Sequence, residues 1–123
     1  MTYRTDPALK ITRGDSGEYA RFPFTVTVNA LPVNVTNRSF FMTGKRSLSD
    51  VIPVFQASTD RGDFTYINAA TGQMIVALRA TDTGAIAAET SLYCDIQMAD
   101  AAGIVTLDKF MLLVEMDVTE VFT

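Results

Sequence analysis

The sequence predicts an all-β chain, and three observations lead to this expectation. Four segments alternate strictly between apolar and polar residues, which is typical of a strand with one buried face. Turn residues separate these segments and several shorter candidates at the spacing of a β-sandwich or barrel. Only one stretch has helical character, and it is too short for more than about one turn. We therefore expect seven to nine strands in a single domain over residues 1–123.

The four alternating segments are the clearest strand candidates. Their apolar positions are Phe22, Phe24, Val26 and Val28; Met74, Val76 and Leu78; Leu92, Cys94, Ile96 and Met98; and Phe110, Leu112, Val114, Met116 and Val118. From this phase we predict nearly complete burial of Phe24, Val26, Val76, Ile96 and Val114. Pro23 cannot donate to a ladder, so we expect it on an edge strand or at a bulge.

Shorter strand candidates lie between these segments, at 9–12, 32–36, 39–45, 51–58 and 63–68. The helical stretch is "TDTGAIAAET", in which Asp82 or Thr83 is positioned to cap a turn that enters the alanine residues. We expect this turn to cross between two sheets.

Composition limits the classes of partner. The 123 residues are 48% hydrophobic and 20% charged, which suits one domain with its own core. The net charge is −4 and no Lys or Arg cluster is present, so we expect no nucleic-acid partner. The sequence has neither a signal-peptide pattern nor a membrane-length apolar run, which predicts a protein made in a cytoplasm without membrane insertion.

The absence of histidine argues against an enzyme, because it removes the usual general base and the usual zinc ligand. Cys94, the single cysteine, lies on the apolar side of its strand and is interpreted as a core residue. Among the loop carboxylates, the segment "DRGD" offers only Asp60 and Asp63 with a cation between them, too few for a calcium loop. We therefore predict no catalytic residue, no cofactor and no metal site.

The tripeptide Arg-Gly-Asp occurs twice, at 13–15, where Ser16 follows, and at 61–63. Turn chemistry explains both copies, since Gly tolerates positive φ and Asp or Ser bonds to nearby backbone. We assign Gly14, Asp15 and Ser16 a structural role in a turn, and expect Asp15→Ala to cost about 1 kcal/mol and Asp63→Ala less. Integrin binding is not expected, because the chain lacks the disulfides and secretion signal of matrix proteins.

Several phrases, taken in order, resemble one family. They are "ITRGDSGEYARFPFTV", "LPVNVTNRSFFMTGK", "INAATGQMIVALRATDTGAI" and "SLYCDIQMADAAGIVTLDKFMLLVEMDVTE". Together they resemble the immunoglobulin-like β-sandwich domains of tailed-bacteriophage virion proteins, such as baseplate and tail-fibre connecting proteins. The sequence departs from the family at Leu92 and Cys94, where tyrosines are frequent, and at "NALPVNVT", which lacks the Gly and Asp of the family turn.

The resemblance implies a single antiparallel immunoglobulin-like β-sandwich in a non-enzymatic virion protein. Because the sequence ends at Thr123, just after the closing strand, we expect no fibre shaft or receptor-binding head to follow. We therefore expect an adaptor subunit at the baseplate or tail-fibre attachment, present in symmetric copies beside other virion proteins. The alternatives are a decoration protein on the capsid head and a module that binds a host carbohydrate or surface protein. The absence of tryptophan disfavours a carbohydrate site.

The alternation also predicts an interaction surface. If Leu112 and Val114 point inward, Met111 and Leu113 point outward, and Tyr93 has the same outward phase on the preceding strand. In a hairpin of these two strands, Tyr93 lies near Met111 or Leu113. An apolar patch of this kind usually marks an interface, so we predict that it contacts a neighbouring subunit.

Overall fold

The computed structural model describes residues 10–14, 20–28, 30–86 and 88–116, and these residues form an all-β fold. The ten strands are β1 (Lys10–Thr12), β2 (Arg21–Thr25), β3 (Thr27–Val28), β4 (Leu31–Pro32), β5 (Ser39–Lys45), β6 (Phe55–Ser58), β7 (Phe64–Asn68), β8 (Gln73–Ala77), β9 (Thr90–Asp100) and β10 (Gly103–Glu115). A 3₁₀ turn covers Ala69–Thr71, and the helical turn α1 covers Ala80–Thr83. Val118, the last apolar position of the predicted closing strand, lies outside the described residues.

The strands form a five-stranded sheet in the order β1-β10-β9-β5-β6, a three-stranded sheet in the order β2-β8-β7, and the small hairpin β3–β4. Every described pair of strands is antiparallel except one, since β1 runs parallel to β10. The expectation of a fully antiparallel fold is therefore wrong at this edge. A tight hairpin forces antiparallel pairing, but β1 and β10 come from distant parts of the chain and are free to align either way.

The hydrophobic core lies between the two larger sheets. Val26, Val76, Ile96 and Val114 are at most 2% exposed, as the alternation predicts. Phe24 is only partly buried, so that prediction is wrong. Its ring lies 6.0 Å from the ring of Phe40 on the opposite sheet, measured between centroids, but β2 is an edge strand and one side of the residue stays open.

Pro23 occupies the centre of this edge strand, opposite Ile75 of β8. The prediction that Pro23 lies on an edge is confirmed. Ala20, three residues before Pro23, accepts the Leu78 amide. Hydrogen-bonded pairs alternate along the ladder, so Pro23 and Ile75 form a non-hydrogen-bonded pair and the nitrogen of Pro23 faces away from β8. The missing donor therefore costs no hydrogen bond within the sheet.

The strand predicted through Val28 is interrupted at Val26, which raises the number of strands above the expected seven to nine. The Val26 amide donates to the carbonyl oxygen of Gly72 at 2.9 Å, and the Val26 carbonyl accepts from the amide of Val33 at 3.1 Å. Gly72 has a φ of +72°, and a Cβ there would lie 2.7 Å from the Val33 oxygen and 2.8 Å from the Val26 oxygen. The close approach of three segments at this glycine bends the chain out of β2.

The helical turn α1 forms earlier than predicted, since it ends at Thr83 and does not include the alanine residues. Asp82 does not precede the turn as a cap. It is the third residue of the turn, and its Oδ2 accepts the backbone amide of Arg79 at 2.7 Å. The turn connects β8 to β9 and so crosses between the two sheets as expected.

The core predicts a contrast between two leucines. Leu112 is fully buried at 0% exposure, whereas Leu31 is 69% exposed on the small hairpin. We expect Leu112→Ala to lower the free energy of unfolding by about 3 kcal/mol, and Leu31→Ala to lower it by less than about 0.5 kcal/mol. Urea denaturation followed by circular dichroism measures both. Equal losses in the two variants would mean that β10 has the wrong face inward.

Candidate functional site

The predicted interface residues lie on the outer face of the five-stranded sheet. Tyr93 is directly opposite Met111 in the β9–β10 ladder, and Leu113 lies between Ser91 of β9 and Lys10 of β1. All three side chains are half-buried. The hairpin predicted Tyr93 near Met111 or Leu113, and the structure pairs it with Met111. The group is less exposed than an open apolar patch.

Charged residues surround this group on the same face. Lys45 of β5 pairs with Tyr93, while Asp95 lies between Thr43 of β5 and Lys109 of β10. Burial raises the pKa of the Asp95 carboxyl, and the charges of Lys109 and Lys45 offset only part of that effect. The outer face thus combines one aromatic–aliphatic pair with ionic groups of both signs. Such a surface suits contact with a protein of mixed polarity.

More strongly exposed apolar residues occur elsewhere. Val51 and Ile52 are 92% and 82% exposed in the loop between β5 and β6. The sequence predicted a strand from residue 51, but β6 begins only at Phe55. Ser47 and Asp50 close a turn before it, with the Asp50 amide on the Ser47 carbonyl at 3.0 Å and the Ser47 amide on Asp50 Oδ2 at 3.1 Å. This Ser-Asp spacing, followed by proline, is the signal that could have predicted the loop.

The first Arg-Gly-Asp copy begins in a turn that is attached to the rest of the fold. Gly14 has a φ of +82°, and its amide donates to the Thr83 hydroxyl at 3.0 Å. The Arg13 guanidinium donates to the Ile86 carbonyl at 3.2 Å. Asp15 and Ser16 lie outside the described residues, so their predicted turn role stays a prediction.

The second copy belongs to a network of ion pairs that the sequence did not predict. The Arg61 guanidinium lies 3.0 Å from both carboxylate oxygens of Asp82 and donates to the Gln56 carbonyl at 3.1 Å. The Asp63 carboxylate lies 2.7 Å from Arg61 Nε and 3.1 Å from Arg79 Nε. Arg79 also donates to the carbonyl of Arg61. Two arginines and two aspartates therefore join the β6–β7 connection to α1.

The two carboxylates are much more buried than the two arginines. The side chains of Asp63 and Asp82 are 3% and 5% exposed, against 33% for Arg61 and 53% for Arg79. Burial alone would lower the pKa of Arg61, but its hydrogen bonds to Asp82 and the charges of Asp82 and Asp63 outweigh that effect and raise it. Arg61 Nε contacts Asp63 at ion-pair distance without hydrogen-bond geometry.

This network changes the interpretation of the loop carboxylates. Asp63 also accepts the Ser58 amide at 3.1 Å, so its carboxylate is held inside the protein and is not presented on the surface as an adhesion ligand would be. Its arginine partners satisfy the charge that a cation would otherwise balance. Within residues 10–14, 20–28, 30–86 and 88–116, no group of His, Cys, Asp and Glu is arranged to hold a metal ion.

Comparison with known proteins gives no relative for this chain: no family model, no curated protein and no solved structure matches it. No helix in the described part of the chain has the length and apolar character needed to cross a membrane.

The network predicts unequal roles for two aspartates of the same turn. Asp63→Ala leaves two arginines facing an empty site and removes the acceptor of the Ser58 amide. We therefore replace the sequence-based expectation of less than about 1 kcal/mol with a loss of about 2 to 3 kcal/mol in the free energy of unfolding. Asp60 is exposed, and Asp60→Ala should cost less than about 0.5 kcal/mol. Chemical denaturation measures both variants. A cost for Asp63→Ala no larger than that for Asp60→Ala would show that the network does not stabilise the fold.

A second prediction concerns Cys94, which is 1% exposed on the inner face of β9. Burial, with a smaller contribution from the charge of Asp95, raises the pKa of the Cys94 thiol. We expect no reaction of the native protein with a disulfide reagent at about pH 8, where an exposed thiol reacts readily, and complete reaction after unfolding. Rapid labelling of the native protein would contradict the placement of Cys94 in the core.

Proposed function

We propose that the chain is an immunoglobulin-like β-sandwich domain. The order of strands in both sheets supports this proposal. In that fold, strands A, B, E and D form one sheet, and strands G, F and C form the other, with C′ added beside C in variable-type domains. The first strand departs from this order, since β1 pairs with β10 and not with β2. The corresponding strands here are β2, β8 and β7 in the first sheet, and β10, β9, β5 and β6 in the second.

The core-facing positions of these strands are apolar, as in antibody domains, but the characteristic residues differ. Antibody domains carry a disulfide between strands B and F, whereas this chain has a single cysteine, Cys94, in the strand that corresponds to F. The strand that corresponds to C carries a buried tryptophan in antibody domains, and here it carries the fully buried Phe40 and Met42.

We further propose that this domain is a non-enzymatic structural subunit of a tailed-bacteriophage virion, acting as an adaptor at the baseplate or tail-fibre attachment. The observation that carries this proposal is the outer face of β9 and β10, where Tyr93 and Met111 are paired beside Leu113 on a broad sheet. The sequence resemblance supplies the class of protein, and the strand order is compatible with it. In this role the domain occurs in symmetric copies and contacts other virion proteins.

The copy number of the subunit distinguishes a position in the tail from a position on the head. An adaptor in the tail occurs in a few copies that match threefold or sixfold symmetry, whereas decoration of an icosahedral head requires hundreds of copies. Quantitative mass spectrometry of purified particles distinguishes the two. Absence of the protein from particles would reject both roles and leave the alternative of a ligand-binding module.

Replacement of two residues of the outer face tests the docking surface. We expect the variant with Met111→Ser and Leu113→Ser to remain folded, because both side chains face away from the core, and to be lost from assembled particles. The matched control is the variant with Ile104→Ser and Val105→Ser, which changes two exposed apolar residues of the same strand and should be incorporated normally. Thermal unfolding and particle composition are measured for both. Full incorporation of the first variant would exclude this face as the contact.

A further inference from the structure

The strands at the sheet edges differ in how well they are protected against pairing with another chain. An open edge presents unpaired amides and carbonyls, and proteins usually block it with proline, charge, short length or a covering group. Among the described strands, β1 is only three residues long, and β2 has Pro23 at its centre. On β6, four residues long, the Gln56 carbonyl accepts the guanidinium of Arg61. Three of the four edge strands of the two larger sheets are thus blocked.

Among the described residues, the fourth edge, β7, has none of these blocks along 64–66, although the side chain of Phe64 lies in the core and leaves the residue 9% exposed. Its sequence "FTYIN" contains neither charge nor proline, and it is rich in residues that favour strands. From Thr65 to Asn68 every residue is exposed, with Tyr66 at 41% and Ile67 at 56%. A register shift between Tyr66 and Asn68 is the single irregularity of the strand, and it leaves 64–66 regular.

The ladder with β8 determines which groups of β7 face outward. The Ala77 amide donates to the carbonyl of Asp63, directly opposite in the register that pairs Phe64 with Val76. Hydrogen-bonded and non-hydrogen-bonded pairs alternate along an antiparallel ladder, so Thr65 bonds to β8 while Phe64 and Tyr66 direct their amides and carbonyls to the free edge. These outward groups have no backbone partner among the described residues.

We propose that the β7 edge pairs with β7 of a second copy of this chain, antiparallel about a twofold axis at Thr65. In this register Phe64 of each copy lies opposite Tyr66 of the other, and the two pairs exchange four backbone hydrogen bonds. At the centre, Thr65 lies opposite Thr65 of the second copy in a non-hydrogen-bonded pair, where side chains are close together. Both threonine side chains are on the outer face of the sheet. The two three-stranded sheets become one six-stranded sheet.

A second copy fits this edge better than a charged peptide strand does. The edge is uncharged, so its pairing with itself places no like charges opposite each other although the chain has a net charge of −4. The twofold arrangement is closed, so the β7 edge is fully used in a dimer and cannot extend the sheet further. The contact lies on the sheet opposite to Tyr93 and Met111, and the proposal does not depend on the virion role.

Substitutions that place a positive or a negative charge at the twofold axis test the dimer. Sedimentation equilibrium of the full chain should show a monomer–dimer equilibrium that depends on concentration. Thr65→Lys and Thr65→Glu each place like charges face to face and should weaken the dimer roughly fivefold, while a mixture of the two variants should regain the lost affinity as a heterodimer. The matched control is Thr25→Lys, an exposed threonine on the blocked edge strand β2, which should leave the equilibrium unchanged.

Amide hydrogen exchange of the wild-type protein locates the contact even if a variant fails to fold. The amides of Phe64 and Tyr66 should exchange more slowly as concentration rises, whereas the amide of Thr65, already bonded to β8, should not change. A monomer at every soluble concentration would overturn the proposal. A dimer that Thr65→Lys leaves intact in a folded variant, or one whose newly protected amides lie outside β7, would also overturn it.

Discussion

The whole fold depends on the inward face of β9, the central strand of the five-stranded sheet. It pairs with β10 and with β5, and every second side chain from Leu92 to Met98 enters the core. Each such side chain stabilises the folded state by about 1.5 to 3 kcal/mol when it leaves water. A shift of one residue in either ladder would turn all of them outward, so the register of the five-stranded sheet is fixed by this strand.

Where a strand lies inside a sheet, its sequence largely predicted its structure. The bounds of β5 agree with the prediction, and the inward phase of β8, β9 and β10 is confirmed by the burial of Val76, Ile96 and Val114. Alternation reports burial well there because both neighbours of the strand are present and only the two faces differ. Alternation predicted burial less well at the edge strand β2, where Phe24 occupies a core position in the pattern but is only partly buried.

The remaining features depend on contacts between distant parts of the chain. Arg61 and Asp82 are separated by twenty-one positions, and the turn sequence "DRGD" gives no sign that its second aspartate is buried against arginine. A strand was expected from residue 51 because Val51, Ile52 and Val54 are apolar. In the structure a turn from Ser47 to Asp50 precedes this segment, which forms a loop. For the candidate surface, the alternation placed Tyr93 near Met111 or Leu113, and only the register of the structure identifies Met111 as its partner. The charged surroundings depend on the neighbouring strand β5, whose pairing with β9 the sequence did not predict.

The junction at Gly72 shows how severely one position can restrict the divergence of this sequence. Its left-handed backbone excludes most side chains, and the two carbonyl oxygens within 2.8 Å of a Cβ exclude even alanine. Gly14, by contrast, has a similar φ but open space around it, so asparagine or aspartate could replace it at a modest cost in backbone strain. In a collection of homologous sequences, residue 72 would therefore be invariant while residue 14 varies among a few small polar types, and the former would be the better marker for recognising distant members.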